Sequence, residues 1–255
     1  MKIRILGAGR AGTSMARALK AVGHEVDGPW TRGRDLRHAA RGVDALVIAT
    51  ADGAIARVAE KIEPDAHCVV LHLSGSLGLE VLGTHPRTGA LHPLVPLPTA
   101  ELGARRLRSG ITFAVAGDPL VVEIVESLEG TAVEVADEDR AIYHAAACVA
   151  ANHVTALLGQ VERLAALAGL PLDAFLGLTR AALEDVEHLG PRSALTGPAA
   201  RGDWSTIERH LAALPEAERA SYQSGVAAAL ELAAPAVHEP AAQDHAVRAP
   251  VHELA

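Results

Sequence analysis

Seven short apolar runs, separated by amphipathic ones, occupy the first half of the chain. They lie at residues 2–6, 25–30, 44–50, 67–73, 89–93, 111–117 and 131–135. Short apolar runs that alternate with helical segments are typical of a doubly wound, mainly parallel sheet with helices on both faces. The pattern therefore predicts an α/β, Rossmann-type domain over residues 1–137.

After residue 137 the pattern becomes helical. Residues 137–169 repeat apolar positions with a helical period, start with acidic side chains that suit a helix N-terminus, and are followed by Leu170-Pro171, which stops a helix. Further helices are expected at residues 171–189, 204–213 and 215–233. Residues 138–233 are thus predicted to form an all-α domain for substrate binding and dimerisation.

The last residues, 234–255, are rich in Ala and Pro, which predicts a disordered tail. Three histidines recur in it at intervals of seven and raise the alternative of a metal-binding tail: His238, His245 and His252. Prolines at 235, 240 and 250 prevent a continuous helix there. We therefore prefer the disordered tail to the metal-binding alternative.

Charge and composition argue against two classes of partner. The formal net charge is -8 and only 2% of residues are aromatic, whereas nucleic-acid binding needs clustered Lys and Arg and rings that stack on bases. The chain also lacks the roughly 18 uninterrupted apolar residues of a membrane span. We expect neither nucleic acid nor a membrane as partner, and instead a small-molecule substrate.

The start of the chain and its cysteines predict a cytoplasmic protein. MKIRILGAGRAG leads directly into a strand and a turn, without the apolar region and cleavage site of a secretion signal. Cys68 and Cys148 lie far apart within apolar segments, which indicates reduced, buried thiols rather than a disulfide or a metal site.

The motif GAGRAG follows the first predicted strand and opens an amphipathic helix. In this context Gly7 permits a tight turn, Gly9 lets the backbone approach a pyrophosphate, and Gly12 lets the helix pack closely on the strand. Free amides at the helix start then face the phosphates. The turn as a whole is predicted to bind a dinucleotide through Gly7, Ala8, Gly9, Arg10, Ala11 and Gly12.

Residues after the second strand bear on the choice of dinucleotide. Thr31, Arg32 and Arg34 favour NADPH, because a cation binds the 2'-phosphate that NADH lacks. Asp27 lies about 20 residues beyond Gly7, the spacing of an acid that selects NADH. We prefer NADPH because Asp27 falls inside the strand. NADH remains an alternative cofactor. In a further alternative, the arginines belong to a solvated loop and bind no cofactor.

Polar residues follow three more strands, at the sheet edge where such folds bind ligands. We assign Thr50, Ala51, Asp52 and Ser74 to the cofactor, Ser76 to the substrate and His92 to catalysis. As an alternative, Asp52 and Ser76 cap the helices that follow them.

Reduction of a carbonyl or imine carbon requires a proton donor beside the cofactor. Lysine occurs only at positions 2, 20 and 61, so none lies on the long helix. His144, with Asn152 two helical turns on, is the predicted acid and its orienting partner, and His92 is the competing acid. Alternatively, His144 is a core histidine satisfied by nearby carbonyls.

A second polar cluster lies at residues 194–203, around Gly197-Pro198. Thr196 and Arg201 are predicted to bind the substrate, since an arginine holds a carboxylate bidentately. Alternatively, Arg201 pairs with Asp203 at the surface, or Asp203 caps the following helix.

With these residues identified, the chain resembles a family of oxidoreductases that join a Rossmann-like domain to a helical domain, the domain of unknown function 2520. The matching pieces are GAGRAG, HLSGS (72–76), GALHPL (89–94), GITFAVAGD (110–118), YHAAACVAANH (143–153) and ALTGPAARGD (194–203). More distantly it is similar to ketopantoate reductases, pyrroline-carboxylate reductases, prephenate dehydrogenases and 3-hydroxyacid dehydrogenases. The resemblance implies an NADP-linked enzyme that dimerises through its helical domain.

Carried over by residue, the resemblance implies that the cofactor binds at the glycines of the motif and that five side chains surround the cleft: Ser74, His92, His144, Asn152 and Arg201. The catalytic lysine of hydroxyacid dehydrogenases and ketopantoate reductases has no counterpart here. We therefore expect an NADPH-dependent reductase of a small 2-oxo acid, ketopantoate being the nearest candidate. Reduction of a cyclic imine, or a sensor that binds NADPH without turnover, are the alternatives.

Overall fold

A computed structural model of the chain describes residues 1–234. The predictions made for the tail, including those for His238, His245 and His252, lie outside the described residues.

All seven predicted apolar runs form strands of one sheet. The strands are β1 Lys2–Leu6, β2 Glu25–Trp30, β3 Ala45–Ile48, β4 Val69–His72, β5 Thr88–Pro93, β6 Thr112–Gly117 and β7 Thr131–Glu134. Their order is β2-β1-β3-β4-β5-β6-β7, and every neighbouring pair is parallel except β5 and β6. The predicted Rossmann-type, mainly parallel sheet is confirmed.

Helices connect the strands and then make up the rest of the described chain. Those among the strands are α1 Arg10–Ala21, α2 Asp52–Ala59, α3 Ala100–Arg106 and α4 Leu120–Ser127. Those after the sheet are α5 Arg140–Cys148, α6 Val154–Leu167, α7 Asp173–Ala194, α8 Pro198–Arg201, α9 Trp204–Ala213 and α10 Glu216–Ala233. The helical C-terminal region is also confirmed.

The sheet is buried on both faces, as its strands indicate. Every residue of β3 (ALVI) and β4 (VVLH) is buried, because side chains of successive residues point to opposite faces and both faces are covered. Met15 and Leu19 of α1 pack on one face with Phe113. Ile55 of α2 packs on the other with Leu82.

Two helices are less regular than their sequences suggest. A π-helical turn, Val149–His153, joins α5 to α6, so the face that carries His144 and Asn152 is not that of a regular helix. In α7 the backbone breaks at Gly190, with φ +76°, just before Pro191. That break lies next to residue 189, where the sequence predicts the helix end.

The chain divides into two compact units. The first is Met1–Ala156, which holds the sheet, α5 and the π-helical turn, and the second begins at Leu157. Within the described residues, Asp137–Leu167 is long and apolar enough to span a membrane. Length and hydropathy alone do not identify a span.

The strand order sets the position of a crevice. β2 and β3 lie on opposite sides of β1, so the connections that leave β1 and β3 diverge to the two faces of the sheet. Ligands of open α/β sheets bind outside the carboxyl ends of the strands at such a switch point. Here the residues at that point are the glycine turn after β1 and residues 50–52 after β3.

Candidate active site

The glycine turn is shaped by close packing of backbone on backbone. A Cβ on Gly7, whose φ is +112°, would lie 2.4 Å from the carbonyl oxygen of Ala49, and a Cβ on Gly12 would lie 2.0 Å from the carbonyl oxygen of Gly7. A Cβ on Gly9 would meet nothing within 4 Å. Gly7 and Gly12 are therefore required by the protein's own packing, and the space in front of Gly9 is open to a ligand.

The start of α1 adds an electrostatic attraction for anions at the same place. The amide of Thr13 donates to the carbonyl oxygen of Gly9 at 2.9 Å, so the amides of residues 10–12 precede the first hydrogen bond of the helix. Such amides, together with the helix dipole, attract phosphate groups. Geometry and charge together fit a pyrophosphate at this turn.

Asp27, the candidate acid for NADH selection, is engaged within the protein. The Nε of Arg4 donates to one of its carboxylate oxygens at 2.8 Å, and the indole N–H of Trp30 donates to the other at 2.8 Å. Burial raises the pKa of Asp27, but these two hydrogen bonds outweigh burial and hold it below its ordinary value. Asp27 thus orients Trp30 and Arg4.

Cations gather at the end of β2. The guanidinium groups of Arg4 and Arg34 each lie 4.7 Å from the centre of the Trp30 ring, a cation–π distance. Thr31 and Arg32 follow the strand and are exposed. The exposed groups at this strand end are therefore those suited to an anionic 2'-phosphate.

The residues after β3 and β4 meet in one hydrogen-bonded cluster. A single carboxylate oxygen of Asp52 accepts from the hydroxyls of Ser74 (2.8 Å) and Ser76 (3.0 Å). Asp52 makes no capping hydrogen bond, because Ala51 occupies the N-cap position of α2. Thr50 precedes it, with a buried hydroxyl that has no hydrogen-bond partner among the described residues. The capping alternative for Asp52 is thus wrong, and its carboxylate fixes the Ser74-Gly75-Ser76 turn.

A cavity of about 520 Å³ opens within the first unit. Residues 92–96 at the end of β5 form one wall, and α5 with the π-helical turn forms the other. The polar side chains that line it are His92, Tyr143, His144, Cys148 and Asn152. The remaining lining is apolar, mainly Ala and Pro, so the cavity suits a small molecule with one polar end.

His92 and Tyr143 form a hydrogen-bonded pair across this cavity. The Nδ1 of His92 lies 2.8 Å from the Tyr143 hydroxyl, and the rings meet edge to face with centres 5.6 Å apart. Burial, helped by His144 and then Arg140, lowers the pKa of His92 to about 4. His92 is therefore a neutral imidazole at pH 7, which argues against its predicted role as a charged acid.

Gly75 lets two imidazoles approach the serine turn. A Cβ on Gly75 would lie 2.7 Å from Cδ2 of His144 and 2.9 Å from Cε1 and Nε2 of His92. The two imidazole rings meet edge to face, 5.7 Å apart. On the other side, Nε2 of His144 is 4.0 Å from Sγ of Cys148. The alternative that neighbouring carbonyls satisfy His144 gains no support from these contacts.

Arg140 is a buried cation on α5, one helical turn before His144. Its side chain is 0% exposed, and none of its guanidinium nitrogens has a hydrogen-bond partner among the described residues. Nε lies 3.4 Å from a carboxylate oxygen of Asp137, an ion-pair distance without hydrogen-bond geometry. The positive charge of Arg140 affects a nearby imidazole. Burial lowers the pKa of His72, and Arg140 lowers it further.

Sequence reasoning missed four residues of this region. It did not single out Tyr143, Arg140, Trp30 as a partner of Asp27, or Gly75 as a close-approach glycine. Arg140 precedes His144 by four positions, so the two share a helix face. That spacing is a signal the sequence does contain.

Thr196 and Arg201 belong to the second unit, where Arg201 is the exposed last residue of α8. Asp203 caps α9, since one of its carboxylate oxygens accepts from the amide of Thr206 at 3.1 Å. Among the described residues no ion pair joins Arg201 to Asp203. Capping is therefore the role of Asp203, and substrate binding by Thr196 and Arg201 stays a prediction.

Comparison with protein families gives one match, which runs from β6 into α10. Residues 110–229 match the domain of unknown function DUF2520. None of the curated proteins matches the chain in sequence.

Solved structures share the fold over most of the chain. BF3122 from Bacteroides fragilis, provisionally named an NADP oxidoreductase, has a TM-score of 0.75 at 22% identity and covers 90% of this chain and 98% of its own. Protein TM1727 from Thermotoga maritima has a TM-score of 0.65 at 22% identity, with 91% and 98% covered. Pyrroline carboxylate reductase from Plasmodium falciparum, solved with NADP bound, has a TM-score of 0.62 at 17% identity, with 91% and 95% covered.

The packing of the glycine turn predicts that two similar substitutions differ in their effect on stability. We expect Gly12→Ala to lower the free energy of unfolding by about 2 kcal/mol, because the new methyl overlaps the Gly7 carbonyl. We expect Gly9→Ala to leave it nearly unchanged, because its backbone is ordinary extended chain facing open space. Urea denaturation of both variants measures the difference; equal losses would contradict the described turn.

Proposed function

We propose that this chain, which carries a DUF2520 domain behind a Rossmann-type fold, is an NADPH-dependent reductase. Its substrate is a small 2-oxo acid or related carboxylate of the ketopantoate type. The observation that carries the proposal is the open space in front of Gly9, at the start of α1 and at the switch point of the sheet. A pyrophosphate fits there, because a Cβ would fill the space that it needs.

NADP(H) is supported as the cofactor by charge. Asp27 is already bonded to Arg4 and Trp30, whereas Arg32 is exposed at the end of β2. A solved structure of the same fold, the pyrroline carboxylate reductase, contains NADP. When bound, the cofactor supplies the hydride. The chain's own residues bind the phosphates, orient the substrate and move the proton.

The cavity beside α5 supports the proposed binding of a carbonyl substrate. His144 and Asn152 place a potential donor and an amide on one wall of an otherwise mainly apolar cavity. Donors fixed in such a place stabilise the negative charge that develops on a carbonyl oxygen during reduction. We propose that His144 donates a hydrogen bond to that oxygen and that Asn152 orients the substrate.

The cofactor preference can be measured directly. The parent protein is expected to bind NADPH more tightly than NADH, and Arg32→Ala to weaken NADPH binding about tenfold, the value of one charge-assisted hydrogen bond, while NADH binding stays the same. Calorimetric titration measures both affinities. Arg108→Ala, which removes another exposed arginine of the first unit, is the control. Equal affinities of the parent for the two dinucleotides would reject the preference.

Turnover is tested by mixing the protein with NADPH and a series of 2-oxo acids and cyclic imines, and following the loss of NADPH absorbance. With an accepted substrate, His144→Ala should lower kcat about 100-fold, the usual cost of losing one such donor, with NADPH affinity unchanged. His153→Ala is the matched control, because His153 is exposed on the same π-helical turn but does not line the cavity. If the protein reduces cyclic imines faster than 2-oxo acids, the cyclic-imine reductase is favoured. If it binds NADPH and reduces neither class, the sensor is favoured.

We further propose a cytoplasmic homodimer formed through the helical region. Helices of the second unit expose several large apolar side chains: Leu167, Leu178, Leu183, Val186, Leu189 and Trp204. Exposed apolar surface of this kind marks an interface. A second copy suits it better than a bilayer, because Gln160, Glu162 and Arg163 interrupt the apolar stretch Asp137–Leu167.

The dimer is tested by sedimentation equilibrium without detergent. The parent is expected to have twice the mass of the chain, and the double variant Leu178→Asp/Leu189→Asp the mass of one, since buried charges oppose association. Val133→Asp, at an exposed apolar position of the sheet, is expected to stay dimeric. A monomeric parent would exclude the dimer.

A further inference from the structure

We propose that Tyr143 is the proton donor of this reaction, positioned by His92 and supported by the buried guanidinium of Arg140. The inference rests on the proposed function and goes beyond it by naming the acid.

Tyr143 presents a hydroxyl to the cavity in a fixed position. Its oxygen lies 2.8 Å from Nδ1 of His92, and its ring packs edge to face on that imidazole. The His92 ring is held in turn by the close approach of Gly75. A phenol fixed in this way on a cavity wall can reach the oxygen of a bound carbonyl compound.

The other polar groups of the cavity are less suited to give up a proton. His92 is neutral, Asn152 carries an amide, and the thiol of Cys148 is a weak hydrogen-bond donor. An imidazole such as that of His144 gives up a proton readily only from its charged form. Tyr143 needs no charge before it reacts.

The buried Arg140 explains why a tyrosine could act here. Burial raises the pKa of Tyr143, so that the phenol keeps its proton at neutral pH, and the charge of Arg140 partly opposes this effect. A buried guanidinium without a hydrogen-bond partner is costly. A phenolate formed on Tyr143 during the reaction would be attracted to this charge, whose ion pair with Asp137 lacks hydrogen-bond geometry.

The charged and titratable groups around Tyr143 are consistent with this role. The groups that contact or act on Tyr143, on its partner His92 or on His72 are Arg140 and His144 on the helix of Tyr143, Asp137 just before it, His92 on β5, His72 on β4 and Asp52 on α2. Both carboxylates are engaged: one oxygen of Asp137 accepts from the amide of Leu79 while the other lies 3.4 Å from Nε of Arg140, and Asp52 accepts from two serine hydroxyls. Arg140 therefore stays the charge that a phenolate would meet.

As the carbonyl carbon of the substrate accepts hydride, the π electron pair of its C=O bond moves to the oxygen. The O–H bond of Tyr143 breaks, and its proton bonds to that oxygen, which gives the alcohol. The phenolate accepts a hydrogen bond from Nδ1–H of neutral His92 and is later reprotonated by water.

The first test removes the hydroxyl. Tyr143→Phe is expected to lower kcat at least about 100-fold, the usual contribution of a general acid, with KM and NADPH affinity little changed. Tyr222→Phe is the matched control, because Tyr222 makes the same kind of bond to His210 (2.6 Å) within the second unit. Full turnover by folded Tyr143→Phe would overturn the proposal and leave the reductase assignment intact. If the parent protein reduces nothing, the proposed function fails and the proton-donor role falls with it.

The second test needs no substrate or cofactor. The chain contains two tyrosines, so in the Tyr222→Phe background the ultraviolet absorbance of tyrosinate reports Tyr143 alone. We expect Arg140→Met to move the titration midpoint to higher pH and Arg140→Lys to leave it near that of the background. A midpoint that Arg140→Met leaves unchanged, with the fold intact by circular dichroism, would show that Arg140 has only a structural role and overturn its part in the proposal.

Discussion

The contact between the glycine turn and the end of β3 is the constraint on which the candidate site depends. The backbone at Gly7 packs against the carbonyl of Ala49, and α1 packs against the turn itself through Gly12. These approaches leave no room for a side chain at either position, and they bring the start of α1 to the switch point of the sheet. A wider turn would move the amides at the start of α1 away from the crevice in which a phosphate would bind.

A glycine also permits close packing beside the cavity that we propose for the substrate. Asp52 ties down the two serines of the Ser74-Gly75-Ser76 turn, and the missing side chain of Gly75 lets His92 and His144 come up to it. The turn after β4, His92 of β5 and His144 of α5 thus meet in a space too small for a methyl group. The composition of the chain, poor in aromatic residues and rich in Ala and Gly, is what makes such close packing possible.

One buried charge acts on both members of the His92–Tyr143 pair, beside the larger effect of burial. Arg140 lowers the pKa of His92 in the same direction as burial does, while it opposes the effect of burial on Tyr143. A single guanidinium therefore favours a neutral imidazole and stabilises a possible phenolate. Opposite effects on neighbouring groups are a common way of assigning acid and base roles within one site.

The sequence by itself determined the sheet, the change to helices and the glycine turn, because period, strand length and turn residues are local properties of the chain. All seven predicted strands occur, and the break in α7 lies next to the predicted helix end. Only the tertiary structure decided which polar groups meet. Asp27 is occupied by Arg4 and Trp30, Asp52 binds serines instead of capping α2, and Arg140 is buried beside Tyr143 and His92. Each of these facts depends on atoms that are distant in sequence or on a burial that no local pattern records, and burial and partners together set the chemistry of an ionisable group.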